Sequence, residues 1–98
     1  MGPGKAELIA RIADTGSISA AARAMRMSYR RAWQLVEALN QDFREPVVTT
    51  AIGGTRGGGA RVTPFGQELV RRFRAMEGKA SSAIASDLKR FERQLRRR

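Results

Sequence analysis

The stretch ISAAARAMRMSYRRAWQLVEALN, residues 18–40, decides the fold. Its first part, Ile18 to Met25, is a short run of helix formers, with Ser17 or Ser19 placed to cap it. Its second part opens at Ser28, another capping residue, and continues to about Asn40 or Phe43. There Ala32, Leu35, Val36, Leu39 and Phe43 fall on one apolar stripe at helical spacing. The Ala20-Ala21-Ala22 run has the small side chains that close approach of two helices requires, although alanine is also simply a good helix former. A small helix, a tight turn and an arginine-bearing helix form the pattern of a helix-turn-helix.

Working downstream, Pro46 stops the third helix, and VVTTAI (47–52) is β-branched and strand-like. Ala60 to Thr63 can pair back with it. Between the two lies GGTRGGG (53–59), five glycines in seven residues. A phosphate cradle of backbone amides is one reading of such a loop. The Walker pattern needs Lys-Ser/Thr and a helix after its last glycine, whereas this loop ends Gly59-Ala60-Arg61 and enters a strand. A mobile wing with Arg56 at its tip and Arg61 at its base is the better account. The expected fold is therefore mainly α: a winged helix-turn-helix with a two-stranded β wing and a long C-terminal helix.

Upstream, Leu8, Ile9, Ile12 and Ala13 predict a first helix from about Lys5 to Asp14, ended by Thr15-Gly16. Residues 1–4 read as a disordered leader, which leaves 5–66 as the winged domain. At the other end, Thr63-Pro64 opens the last helix, with Thr as cap and Pro at the first helical position. Leu69, Phe73, Met76, Ala80, Ile84, Leu88, Phe91 and Leu95 then advance by three or four to the end of the chain. That seam is roughly 50 Å long at 1.5 Å per residue, more than so small a domain can cover. Residues 67–98 are accordingly expected to pair with a second copy, with Leu69, Phe73, Met76, Ile84, Leu88, Phe91 and Leu95 as the dimer contacts. Gly78 and Ser81-Ser82 weaken the centre, and a break near Gly78 with the second half folded back is the other reading.

Composition narrows the function. A chain of 98 residues is one domain, and a formal charge of +10 with a pI near 11.7 marks a binder of polyanions or membrane surfaces, or a very soluble basic protein. The absence of His and Cys excludes imidazole bases, thiolate nucleophiles and zinc-thiolate sites, so neither enzyme activity nor a cofactor is expected. No apolar run approaches the roughly 18 residues needed to span a bilayer, and the N-terminus has no signal-peptide pattern. Ala6 stands where a myristoylation signal needs Ser or Thr. These features fit a cytoplasmic, nucleoid-associated protein. The charge is uneven: residues 1–66 carry nine basic and five acidic side chains, residues 67–98 ten and four. More than half of the excess thus lies on the last helix, where a solvated face and a phosphate-contacting face are equally good readings.

On the third helix Arg30, Gln34, Glu37 and Gln41 fall opposite the apolar stripe, with Tyr29, Arg31 and Trp33 on the flanks. Arginine pairs with guanine edges and glutamine with adenine edges, so Arg30, then Gln34 and Tyr29, are the leading contacts. Ser28 can donate to a phosphate from the helix N-terminus or serve only as a cap. Arg31 reads equally as a contact or a solvated neighbour. Trp33 is expected at the core edge, with sugar stacking as the alternative. Arg56 suits a minor-groove or backbone contact.

Ser17-Ile18-Ser19-x-Ala21-Ala22, Met27-Ser28-Tyr29-x-x-Ala32-Trp33, Gly53-Gly54-x-x-Gly57-Gly58-Gly59-Ala60 and Val62-Thr63-x-x-Gly66 together resemble the N-terminal DNA-binding domain of the ModE-type molybdate-responsive regulators, related in fold to LysR-type winged helices. The resemblance covers about residues 5–75 and implies a dimeric DNA-binding protein with its recognition helix and wing at the positions above. It departs in two respects. That family binds molybdate in a separate C-terminal domain, which these 98 residues do not include, so molybdate sensing is not implied. The turn position usually held by glycine is Arg26, where a left-handed backbone costs on the order of 1 kcal/mol but could add a phosphate contact.

The expected function is a sequence-specific transcriptional regulator that binds double-stranded DNA as a homodimer at a pseudo-palindromic site, with room for a protein partner in transcription. A non-specific architectural DNA-binding protein is the alternative. A small oxyanion-binding or protein-interaction module on the same fold is a third reading.

Overall fold

The computed structural model describes residues 1–51 and 59–96. Three helices come first: α1 (Pro3–Thr15), α2 (Ile18–Ala24) and α3 (Tyr29–Asp42). Two antiparallel strands follow, β1 (Val48–Ala51) and β2 (Gly59–Val62), and then α4 (Pro64–Glu92). The strands pair Val48 with Val62 and Thr49 with Arg61. Ala60 and Val62 turn inward from β2, while Gly59 and Arg61 face out, the alternation expected of a sheet with one face covered.

The first helix begins two residues earlier than the sequence predicts. Pro3 occupies its first turn, where a missing N–H costs nothing, and the amide of Ala6 donates to the Gly2 carbonyl at 3.0 Å. Pro3 and Gly4 are therefore helical. Gly16 ends the helix in the left-handed region, at φ 67°.

The core is one cluster formed by Leu8, Ile9 and Ile12 of α1, the buried alanines of α2 and α3, Val36 and Leu39, and the valines that flank the wing. Ala21 and Ala32 are fully buried, so α2 and α3 meet through the smallest side chains available. Leu35 and Phe43 are half-buried against this cluster, completing the predicted stripe of α3. Ser17, Ser28 and Thr63 each cap the following helix by accepting from the amide three residues on, at 3.1, 3.1 and 2.9 Å. The helix-turn-helix turn is a Schellman cap: the Met27 amide donates to the Ala22 carbonyl at 3.0 Å and the Arg26 amide to the Arg23 carbonyl at 3.2 Å. This geometry requires a left-handed residue between them, and Arg26 supplies it at φ 56°.

The last helix runs without a break through Gly78 and Ser81-Ser82. It stops at Glu92, short of the end that the apolar periodicity suggests. Gln94 and Leu95 donate to the Phe91 and Glu92 carbonyls in a closing turn, so Leu95 lies beyond the helix.

Candidate nucleic-acid interface

A reading helix must be held firmly on one side and left bare on the other. The structure does both for α3. Ala32, Val36 and Leu39 are buried, while Tyr29, Arg30, Arg31, Trp33, Gln34, Glu37 and Gln41 are exposed. The apolar and polar halves of the 3.6-residue period thus separate cleanly. Trp33 is 38% exposed and lies about 100° round the helix from the inward-facing Ala32, at the border of the two halves.

Ser28, Arg26 and Arg61 are exposed as well. Arg26 projects from the turn directly before α3, and Arg61 from the outer face of β2 opposite Thr49. Arg56, the expected wing-tip contact, lies outside the described residues. Arg23, which the sequence reading did not single out, is exposed on the last turn of α2, three residues before Arg26. Its signal was available in the spacing Arg23, Arg26, Arg30, a basic side chain every three or four residues across the turn.

Asn40, which the sequence did not single out, fixes the wing to α3. Asn40 lies on the inner flank of α3 near its C-terminus. Its Oδ1 accepts from the amides of Val47 and Val48 at 2.7 and 3.1 Å, and its Nδ2 donates to the Val48 carbonyl at 2.9 Å. The partners dictate the orientation of the amide, because two donors and one acceptor face it. A second link is the edge-to-face pair of Phe43 and Phe65, whose ring centroids are 6.3 Å apart, joining the end of α3 to the start of α4.

The root of the wing is tied down on both sides. The Ala60 amide donates to the Gly16 carbonyl at 2.9 Å, and the Thr63 hydroxyl donates to the Pro46 carbonyl at 2.7 Å. Gly66 lies so close to Val47 that an added Cβ would be 2.4 Å from the Val47 carbonyl oxygen. The Thr63-x-x-Gly66 motif therefore performs two tasks, capping α4 and letting it approach β1.

On α4 the seam divides. Leu69 is half-buried against its own core, so the near end of the stripe serves the domain itself. Phe73 is also half-buried, whereas Met76, Ile84, Leu88, Phe91 and Leu95 are exposed, Phe91 at 68%.

With this geometry in place the comparisons are specific. Residues 4–67 match the family described as bacterial regulatory helix-turn-helix protein, lysR family. The chain belongs to this LysR family. It is also similar to part of several molybdenum-related proteins. This LysR-family domain is 45% identical over 95 residues to the molybdenum-pterin-binding protein MopB of Rhodobacter capsulatus, covering 97% of this chain and 34% of MopB. It is 38% identical over 71 residues to the DNA-binding transcriptional dual regulator ModE of Escherichia coli (strain K12), covering 72% of this chain and 27% of that protein. The chain thus spans about a third of the length of the curated relatives it matches. Among solved structures it is similar in fold to the CbnR DNA-binding domain in its complex with DNA, with a TM-score of 0.67 at 20% identity, covering 90% of this chain and 99% of that one. The chain therefore carries the helix-turn-helix domain of LysR-family regulators, and ModE-type regulators are similar to it over most of its length. Among the described residues no helix is long and apolar enough to cross a membrane.

Proposed function

We propose that this domain reads a specific, pseudo-palindromic DNA site as a homodimer, with α3 in the major groove and the wing on the neighbouring minor groove or backbone. The observation that carries this reading is the two-sidedness of α3: a fully buried Ala32-Val36-Leu39 stripe opposite an exposed face bearing Arg30, Gln34 and Gln41. Arg30 and Gln34 have the donors and acceptors to discriminate guanine and adenine edges. Ser28, Tyr29, Arg31 and Trp33 flank them and contact phosphate or sugar, which sets register without carrying sequence information. Arg26, Arg56 and Arg61 add backbone contacts on either side.

Two copies join through the distal seam of α4, where Met76, Ile84, Leu88 and Phe91 are exposed. Leu95 extends the seam, and Leu69 and Phe73 close its near end. MopB and ModE are named for molybdenum or for regulation as whole proteins about three times this length. The proposal concerns DNA reading alone.

Selection of sites from random DNA by the purified chain tests the reading. The selected sequences should be two-fold related and bind at least ~10³-fold more tightly than random duplex. A ratio near one would leave an architectural, sequence-independent DNA binder.

A further inference from the structure

The outer face of α4 is the largest feature that the reading surface leaves unexplained. At about 100° per residue, Lys79, Lys89 and Arg93 fall within about 60° of the line opposite the apolar seam, and Arg90 stands beside them at about 80°. All four side chains are exposed, and among the described residues none is in an ion pair. From Lys79 onward no carboxylate shares that sector. Asp87 lies on the seam side and Glu92 on a flank. Ser82 and Ser86, whose hydroxyls suit phosphate oxygens, occupy the space between the cations. Nearer the domain, Arg71 and Arg72 are on the same side, but both pair with Glu68.

Helix stability does not account for this arrangement. The macrodipole favours Lys89 and Arg90 in the last turn and Arg93 at the C-cap, but does nothing for Lys79. Like charges four residues apart, as in Lys89 and Arg93, weaken a helix. A polyanion laid along the face accounts for all four.

We propose that this ridge is a second, sequence-independent DNA-binding surface, contacting the phosphate backbone of duplex DNA outside the segment read by α3. Lys79 and Arg93 are fourteen residues apart, about 21 Å along the helix. Over that length a duplex presents about a dozen phosphates. Pairing of the seam with a second copy leaves the ridge facing outward, so dimerisation and backbone contact are compatible. A lipid surface fits less well. The cations point away from the apolar seam, whereas a helix lying on a lipid surface has them flanking it. The inference rests on the DNA-binding reading of the domain but not on the base contacts assigned to α3.

The test uses the full chain carrying Lys79→Gln, Lys89→Gln, Arg90→Gln and Arg93→Gln together, at positions where no side chain is buried. The expected result is an equal loss, at least about tenfold near 0.1 M salt, on selected and random duplex, with the salt slope of log Kobs reduced by about 3. The specificity ratio stays unchanged. Lys79→Arg, Lys89→Arg, Arg90→Lys and Arg93→Lys together restore both affinity and slope. A matched set with the same change of charge elsewhere (Lys5→Gln, Arg11→Gln, Arg44→Gln, Arg74→Gln) leaves the slope within about one of wild type. An unchanged slope in the ridge variant overturns the proposal, as does an equal drop in the matched set. So does loss of binding to phosphatidylglycerol vesicles with DNA binding intact. The α3 reading fails separately, if Arg30→Ala with Gln34→Ala leaves the specificity ratio where it was.

Discussion

The side chain of Asn40 and the backbone of Val48 form a two-way hydrogen-bonded pair, with Nδ2 donating to the Val48 carbonyl at 2.9 Å and Oδ1 accepting from its amide at 3.1 Å. The pair spans eight residues and fixes the reading helix against the first strand of the wing. Asn40→Ala strands that carbonyl and the amides of Val47 and Val48 in a half-buried position. Each such group costs about 1–3 kcal/mol when fully buried, so a loss of about 2–3 kcal/mol is expected here. Urea unfolding measures it, and a loss under about 0.5 kcal/mol would show that water replaces the amide without penalty.

Gly66 and Gly78 lie on the same helix and should respond in opposite directions to alanine. At Gly66 a Cβ would meet the Val47 carbonyl at 2.4 Å and a Val62 methyl at 2.9 Å, so Gly66→Ala should cost about 1–3 kcal/mol through overpacking. At Gly78 nothing lies within 4 Å, and Gly78→Ala should gain about 0.5–1 kcal/mol from helix propensity. In a domain this size each kcal/mol moves Tm by about 4–8 °C, so thermal melts should separate the two variants clearly.

Arg26 should trade stability against affinity. Its backbone is left-handed, at φ 56°, a conformation that glycine adopts freely. Arg26→Gly is expected to stabilise the fold by about 0.5–1 kcal/mol, while losing one phosphate contact and about 0.9 from the salt slope of DNA binding. A more stable variant with unaltered slope would remove Arg26 from the interface.

Arg30 and Gln34 should behave differently from the arginines around them. Arg30→Lys retains the charge but not the fork that bridges two acceptors of one guanine, so about 1–3 kcal/mol of discrimination should be lost at one base position. Competition binding against single-base variants of the selected site reads this out. Equal losses at every position would reassign Arg30 to the backbone.

Leu88 and Phe91 test the seam. Both are exposed in the isolated chain, so Leu88→Asp should leave its helix content unchanged. Light scattering at micromolar concentration should give a dimer for the wild type and a monomer for the variant. A wild-type monomer would show that α4 does not join two copies.

What could be read from the sequence was whatever a short-range pattern specifies. The buried stripe of α3 follows from the 3.6-residue period, and the Ser17, Ser28 and Thr63 caps follow from residue chemistry at helix starts. The left-handed turn at Arg26 was legible because the family resemblance marks that position. The first helix begins earlier than its apolar spacing indicates, because the Gly2-Pro3-Gly4 start reads as a leader although proline belongs in a first turn. Asn40 was not legible at all. Its role depends on where the chain returns seven and eight residues later, and no local pattern encodes that.

β2 links two helix termini: the Ala60 amide donates to the Gly16 carbonyl at the end of α1, and Thr63, just after the strand, accepts from the Gly66 and Gln67 amides of α4. The strand therefore acts as a crossbar, and the direction in which α4 leaves the domain is set at its first turns, by these bonds and by Phe65, Leu69 and Val70 against the core, not by the exposed distal seam. In a dimer, the separation of the two reading helices would then be a property of that exit angle and of where along α4 the copies meet. Substitutions on α3 could change which bases are read, but a change in half-site spacing would have to come from the seam or from the crossbar.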